Sequence, residues 1–312
     1  MDALLRLRRL HRVRDRARGG LARPARRWQS GHRSGSLHRR CRAGCAPPQP
    51  GGPGRRPGRD EGDQAVKVRI RFAKTGKVRW TSHRDVARMW ERALRRVRLP
   101  LAYTEGFSPR PRVSFGLALP TGHESVAEYL DVEVAEGGSG DMAGPEGTPS
   151  LEMAGLPGVL SEALPDGVDV LGAAVLEGRV PSLQHDVTSC SWEVEIVGVA
   201  PARMAALVEE ALGAPQLLVT RERKGRQVTD DLRPAIISLG LLESRQAGTV
   251  LGTELATHPR GVRPRELLEA LGPDLEAGVV RRTHQWIERD GARWEPLPPG
   301  ATHAPHALER AS

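Results

Sequence analysis

Two hydrophobic periods alternate along this chain from Val66 onward, and their order restricts the possible folds more than any other feature. Val66, Val68, Ile70 and Phe72 interleave with Lys67, Arg69 and Arg71, the period-2 pattern of a strand with one buried face. Lys74-Thr75-Gly76-Lys77 turns the chain. Ser82 and Asp85 have capping-box spacing, and Val86, Met89, Trp90, Ala93, Leu94 and Val97 then recur at helical spacing until Leu99-Pro100. Residues 112–119 and 127–134 alternate again, which predicts two strands. A helix over 151–164 and a strand over 168–176 complete the set, after a Gly- and Pro-rich stretch at 137–150 that reads as a surface loop.

The resulting order, β-α-β-β-α-β, is the ferredoxin-like arrangement. From Trp192 the same kinds of segment recur: strands at 192–196, 216–221, 235–242, 249–256 and 279–288, with helices opened by Pro201 and Pro264. The expected fold is therefore α+β, with two ferredoxin-like lobes in tandem over 63–180 and 186–292 and a tail at 297–312. No sequence repeat accompanies the duplication.

Residues 1–62 stand apart. The first 60 hold 17 Arg against three Asp, a local charge of +14, so the +9 of the whole chain leaves the remainder at −5. This segment runs on Arg, Gly and Pro and holds too little apolar surface to fold. It is expected to be a disordered arm, or the product of a start placed too far upstream. An arm that grips RNA is the functional alternative. No stretch approaches the roughly 20 apolar residues of a membrane span. The three cysteines, 41, 45 and 190, offer no disulfide framework. A soluble, cytoplasmic protein is expected.

The chemistry-bearing candidates cluster in the first lobe. Between Lys67 and Arg98, twelve basic residues face only Asp85 and Glu91, a local excess of +10. Lys74, Lys77, Arg84, Arg88 and Arg92 are candidate phosphate ligands there, although Lys67, Arg69 and Arg71 can also pair across a sheet with Asp131 and Glu133. The stretch Tyr103–Arg112 has two prolines and a glycine, and presents Glu105, Phe107, Ser108, Arg110 and Arg112 on a constrained loop. His83 and Glu105 are the candidate proton-transfer groups. In the second lobe, a basic hairpin contributes Lys224 and Arg233. No metal site is expected, because Cys41-Arg-Ala-Gly-Cys45 with His32 and His38 matches no zinc spacing. No nucleotide or hydrolase motif of the common kinds is present.

Several linked stretches in fixed order then resemble one family. They are Phe72–Lys77, Thr81-Ser-His-Arg-Asp85, Arg92–Arg96 with Leu99-Pro100, Glu105-Gly-Phe-Ser-Pro109, and Leu119-Pro-Thr-Gly-His-Glu-Ser125 with Glu128-Tyr129, followed more weakly by Lys224-Gly225, Asp230–Pro234 and Arg263–Leu268. Together they resemble the radical S-adenosylmethionine (SAM)-linked domain of unknown function, over roughly residues 66 to 290. Arg110 and Arg112 depart from the His and Lys expected at those positions.

The resemblance implies a partner, a radical SAM enzyme with a cobalamin-binding-type domain. The iron-sulfur cluster and SAM are expected on that partner. This chain has no CxxxCxxC motif to supply three thiolates and is not expected to bind a cofactor. The leading expectation is an accessory protein that presents a substrate, RNA or a ribosomal component, to the enzyme. An RNA-processing endonuclease using His83 is a second reading, by analogy with the paired ferredoxin-like lobes of CRISPR RNA-processing endonucleases. A protein-docking scaffold using the acidic second half is a third.

Overall fold

The apolar alternation beginning at Val66 builds β1 (Val66–Lys74), and Ser82 caps α1 (His83–Arg96) by accepting a hydrogen bond from the Asp85 N–H. The computed structural model describes residues 65–135, 153–178, 180–242, 249–298 and 300–303. The expected arm at 1–62 and loop at 137–150 lie outside these. The first half continues through β2 (Val113–Phe115), β3 (Glu124–Val134), α2 (Leu156–Ala163) and β4 (Val168–Leu176). A short helix α3 (Leu183–Asp186) leads to β5 (Ser189–Ile196), α4 (Pro201–Gly213), β6 (Leu218–Arg223), β7 (Arg226–Asp231), β8 (Ile236–Leu242), β9 (Thr249–Ala256) and α5 (Pro264–Leu271). Strands β10 (Ala277–Arg289), β11 (Ala292–Trp294) and β12 (Thr302–His303) follow.

The protein is mixed α+β, built on a large, mostly antiparallel sheet of ten strands. In the first half β1 lies between β4 and β3, and β2 pairs with β3, all antiparallel. In the second half β5 lies between β10 and β9, and β8 pairs with β9, again antiparallel. Both halves thus have their strands in the same spatial order, with β6 and β7 forming a separate hairpin. Lys224 (φ 52°) and Gly225 (φ 74°) make its turn, the left-handed pair that a two-residue hairpin requires. The halves meet where β3 and β10 run parallel at Glu124–Arg281 and Ser125–Arg282.

On α1, the buried Val86, Trp90, Ala93 and Leu94 face Ile70, Phe72, Leu130 and Val132. The second core is centred on Trp192, Val194, Ile196, Met204, Leu251 and Leu267. The opposite side of the first half is covered as well, since Ala127 and Tyr129 pack with Leu183 and Leu297. There Arg69, 1% exposed, makes a bidentate bond to Asp131 at 2.7 and 2.9 Å and donates to the Pro296 carbonyl at 3.1 Å. The sheet pairing proposed for the β1 cations is therefore present for Arg69. Arg71 pairs instead with Glu295 at 2.7 Å.

Four expectations are corrected. The helix expected from 151 begins at Leu156, after a turn. The strand expected over 112–119 is ladder-paired only at Val113–Phe115. The strand expected at 216–221 runs from Leu218 to Arg223 as half of a hairpin. The expected tail is part of the body as far as His303, because β12 pairs with Ala173 and Gly172 of β4 and Leu297 is buried. Residues 304–312 lie outside the described set.

Candidate functional site

Three of the resembling stretches, Phe72–Lys77, Thr81–Asp85 and Leu119–Ser125, meet at the start of α1. Lys74, at the end of β1, is 3% exposed, and its ammonium donates to the carbonyls of Thr81 at 2.9 Å and Arg79 at 3.3 Å. Burial lowers its pKa, with Glu128 opposing. This lysine therefore closes the turn between β1 and α1 and is not displayed to a phosphate, contrary to the sequence-based expectation. The carboxylate of Glu124 accepts from the Gly76 N–H at 2.9 Å, Arg79 at 3.2 Å and Arg281 at 3.0 Å. Its burial pushes the pKa up, but these donors outweigh that and hold it below the usual range. Gly122 donates to the Arg79 carbonyl at 2.8 Å. Its φ of +89° and the Trp80 ring, 2.9 Å from where a Cβ would sit, both require glycine.

His83 is exposed at the first turn of α1, its ring edge-on to Phe115 at 5.3 Å. It borders a crevice shared with Phe72, Lys74, Phe115, Leu119 and Glu128, whose open volume of about 10 Å³ is room for one water. No hydrogen bond or ion pair among the described residues joins His83 to Glu105. The two candidate proton-transfer groups are not assembled into one site.

Behind this turn the halves are pinned by a buried ion pair. Arg282 of β10, 2% exposed, donates to Glu128 of β3 and to the Leu117 carbonyl at 2.8 Å, and its guanidinium lies over Trp192 at 5.4 Å. Gln285 donates to the Ala127 carbonyl. His123 packs edge-on to the same indole at 6.1 Å, and burial pushes its pKa down. Cys190 is buried beside Arg282, and burial raises its thiol pKa, so it lacks the thiolate character of a nucleophile. Sequence reasoning missed Glu124, Glu128, Arg281 and Arg282 as a set. Its available signal was Glu124 and Glu128, two of the four acids of β3, which need partners once buried.

Nine of the twelve cations between Lys67 and Arg98 fall into two groups. Arg69, Arg71, Lys74 and Arg79 are spent on internal partners. Arg84, Arg88, Arg92, Arg95 and Arg96 are exposed on α1, opposite its buried stripe. Arg88 and Arg95 have partners in Asp85 and Glu91, while Arg96 donates to the Ala163 carbonyl. Among the described residues Lys77, Arg84, Arg92 and Arg98 form no ion pair within 4 Å. The helix leads through Leu99–Leu101 into the Tyr103–Arg112 loop. There the Thr104 N–H donates to the Arg110 carbonyl (2.9 Å), the Arg110 N–H to the Thr104 hydroxyl (3.1 Å) and the Arg112 N–H to the Ala102 carbonyl (2.8 Å). Glu105, Phe107, Ser108 and Arg110 are exposed on it, and Arg112 pairs with Glu133 at 3.2 Å.

The second-half candidates lie on other elements. Lys224 is exposed at the β6–β7 turn, and Arg233 donates to the Leu212 carbonyl near the end of α4 at 3.0 Å. Arg233 thereby satisfies a terminal helix carbonyl. The described residues contain no group of His, Cys, Asp and Glu placed to hold a metal ion, and no helix long and apolar enough to cross a membrane.

Residues 67–264 match the model of a family described as an uncharacterised protein conserved in bacteria, DUF2344. The chain belongs to this family. The matched range begins in β1, takes in the α1 ridge, the loop and the turn around Glu124, and ends at the first residue of α5. No curated protein matches the DUF2344 chain. Among solved structures, the crystal structure of a Cbf5-Nop10-Gar1 complex is similar at 11% identity and a TM-score of 0.39, over 70% of this chain and 48% of that chain. The chain thus spans about half the length of the solved chain it matches.

Proposed function

We propose that this protein is a cytoplasmic accessory factor that binds RNA along α1 and the adjoining loop and presents it to a separate radical SAM enzyme carrying a cobalamin-binding-type domain. Each half is read as a ferredoxin-like lobe, supported by the shared strand order. The observation that carries the RNA reading is the row of exposed arginines on α1, with Arg84 and Arg92 unpaired, continuing into a loop that bears Arg110. Cations left without internal partners and gathered on one face suit a phosphate backbone. The enzyme partner rests on the resemblance of the motifs that converge on Lys74 and Glu124. The cluster and SAM belong to that partner in this reading, since the three cysteines here do not form a radical SAM motif.

Binding of labelled RNA, followed by fluorescence anisotropy over a salt series, tests the first half of the proposal. Arg84→Ala and Arg92→Ala are each expected to weaken binding and to reduce the slope of log K against log salt by about 0.7 per lost single-strand phosphate contact. A wild-type protein that binds no RNA at low salt refutes it. Affinity capture on the full chain, with identification of bound enzyme and bound nucleic acid, tests the partnership. Absence of any radical SAM enzyme from the captured material refutes that half.

A further inference from the structure

We propose that the Tyr103–Arg112 loop recognises unpaired bases, with Phe107 as a stacking platform, so that the RNA engaged by this protein is single-stranded where it meets the loop. This deepens the RNA reading above and rests on it. Phe107 is 110% exposed and Tyr103 is 45% exposed. The chain has three Phe and two Tyr. Phe72 and Tyr129 are buried and Phe115 packs against the first core, so the remaining Phe and Tyr both stand on this one loop.

The arms that carry the ring are braced. Three hydrogen bonds and the Tyr103–Pro111 bridge tie the two arms together, and Pro109 and Pro111 fix two backbone angles. A pre-set platform costs little conformational entropy when a ligand docks.

The surroundings select the ligand class. A protein pocket of the usual kind would bury a contiguous apolar patch, yet the neighbours of Phe107 are Thr104, Glu105, Ser108 and Arg110, all exposed. An isolated ring among polar groups, downstream of a helix lined with arginine, is the combination found at single-strand sites. There cations track the backbone and aromatic faces take bases. A fully paired A-form helix offers no free base face. The Glu105 carboxylate, two residues from the ring, disfavours a phosphate at that point and accepts from the N–H groups that unpaired bases present, the uracil N3–H included.

The test compares the full chain on labelled oligo(U) and on a fully paired RNA of equal length. Phe107→Ala is expected to weaken oligo(U) binding about fivefold or more, with the salt slope and the paired-RNA affinity unchanged and Phe107→Trp restoring the loss. Unchanged circular dichroism and melting of the variant assign the loss to the lost ring. The proposal is overturned if Phe107→Ala binds oligo(U) as tightly as wild type, or if wild type binds paired RNA as tightly as oligo(U). It is likewise overturned if the variant loses only the captured enzyme partner, which would make the loop a protein contact. Those three results leave RNA binding itself standing, whereas failure of wild type to bind either RNA removes both readings.

Discussion

Removing the carboxylate of Glu128 should be among the most damaging single changes in this protein. Arg282 is 2% exposed and its acceptors are the Glu128 carboxylate, the Leu117 carbonyl and the sulfur of Cys190. Glu128→Ala leaves a guanidinium buried against Trp192 with no carboxylate, only the Leu117 carbonyl and the weak acceptor sulfur of Cys190. Leaving one partner of a buried pair uncompensated costs about 3–5 kcal/mol. For a body of this size each kcal/mol moves the melting temperature by about 2–4 °C, so a fall of roughly 6–20 °C is expected. Thermal and urea denaturation of the purified variant measure it. Because Arg282 stands on β10 and Glu128 on β3, the loss also loosens one half against the other, and the transition should broaden. The paired substitution Glu128→Leu with Arg282→Met removes both charges and should recover most of the stability. A Glu128→Ala protein within about 1 kcal/mol of wild type would show that the pair is solvated and that the reasoning is wrong.

The turn around Glu124, together with His284 of β10, yields three further expectations. Its carboxylate pKa is depressed in the folded state, so its contribution is present above the unfolded value and lost as pH falls through the lower folded one. Glu124→Gln should therefore flatten the acid limb of stability measured below about pH 4.5. His123 and His284 have pKa values lowered mainly by burial. The unfolded chain then binds more protons below about pH 6.5, and stability should fall from pH 7 to pH 5, less so in His123→Gln. Gly122→Ala places a Cβ 2.9 Å from Trp80 at a φ of +89° and should cost about 1–3 kcal/mol by denaturant titration.

What could be read in advance was what local pattern determines. β1 was legible because one of its faces meets helices and the other carries Arg69 and Arg71, so alternation survives. The start of α1 was legible because the Ser82 cap and the apolar stripe are both local. β3 begins at Glu124, three residues before the expected start, because it is buried on both faces and its first residues do not alternate. Lys74 looked like a surface lysine because its acceptors are backbone carbonyls that exist only once the following turn has formed. Arg282 and Glu128 lie 154 residues apart, and nothing near either residue reveals the other. The loop was recognisable from its prolines, whereas the full exposure of Phe107 depends on how its two arms are braced.

The bond from Arg69 to the Pro296 carbonyl spans 227 residues, and this has a consequence for a chain made in one direction. At about 5–20 residues per second, β1 emerges from the ribosome roughly 11–45 s before the segment that completes its surroundings. In the later part of that interval, once they have been made, Tyr129, Ala127 and Ala174 lack the cover of Leu297, and β4 lacks β12 along its outer edge. The nascent first half therefore waits with an open strand edge and an unfinished apolar face, the features that invite wrong pairing. Synthesis of the last few strands closes both at once.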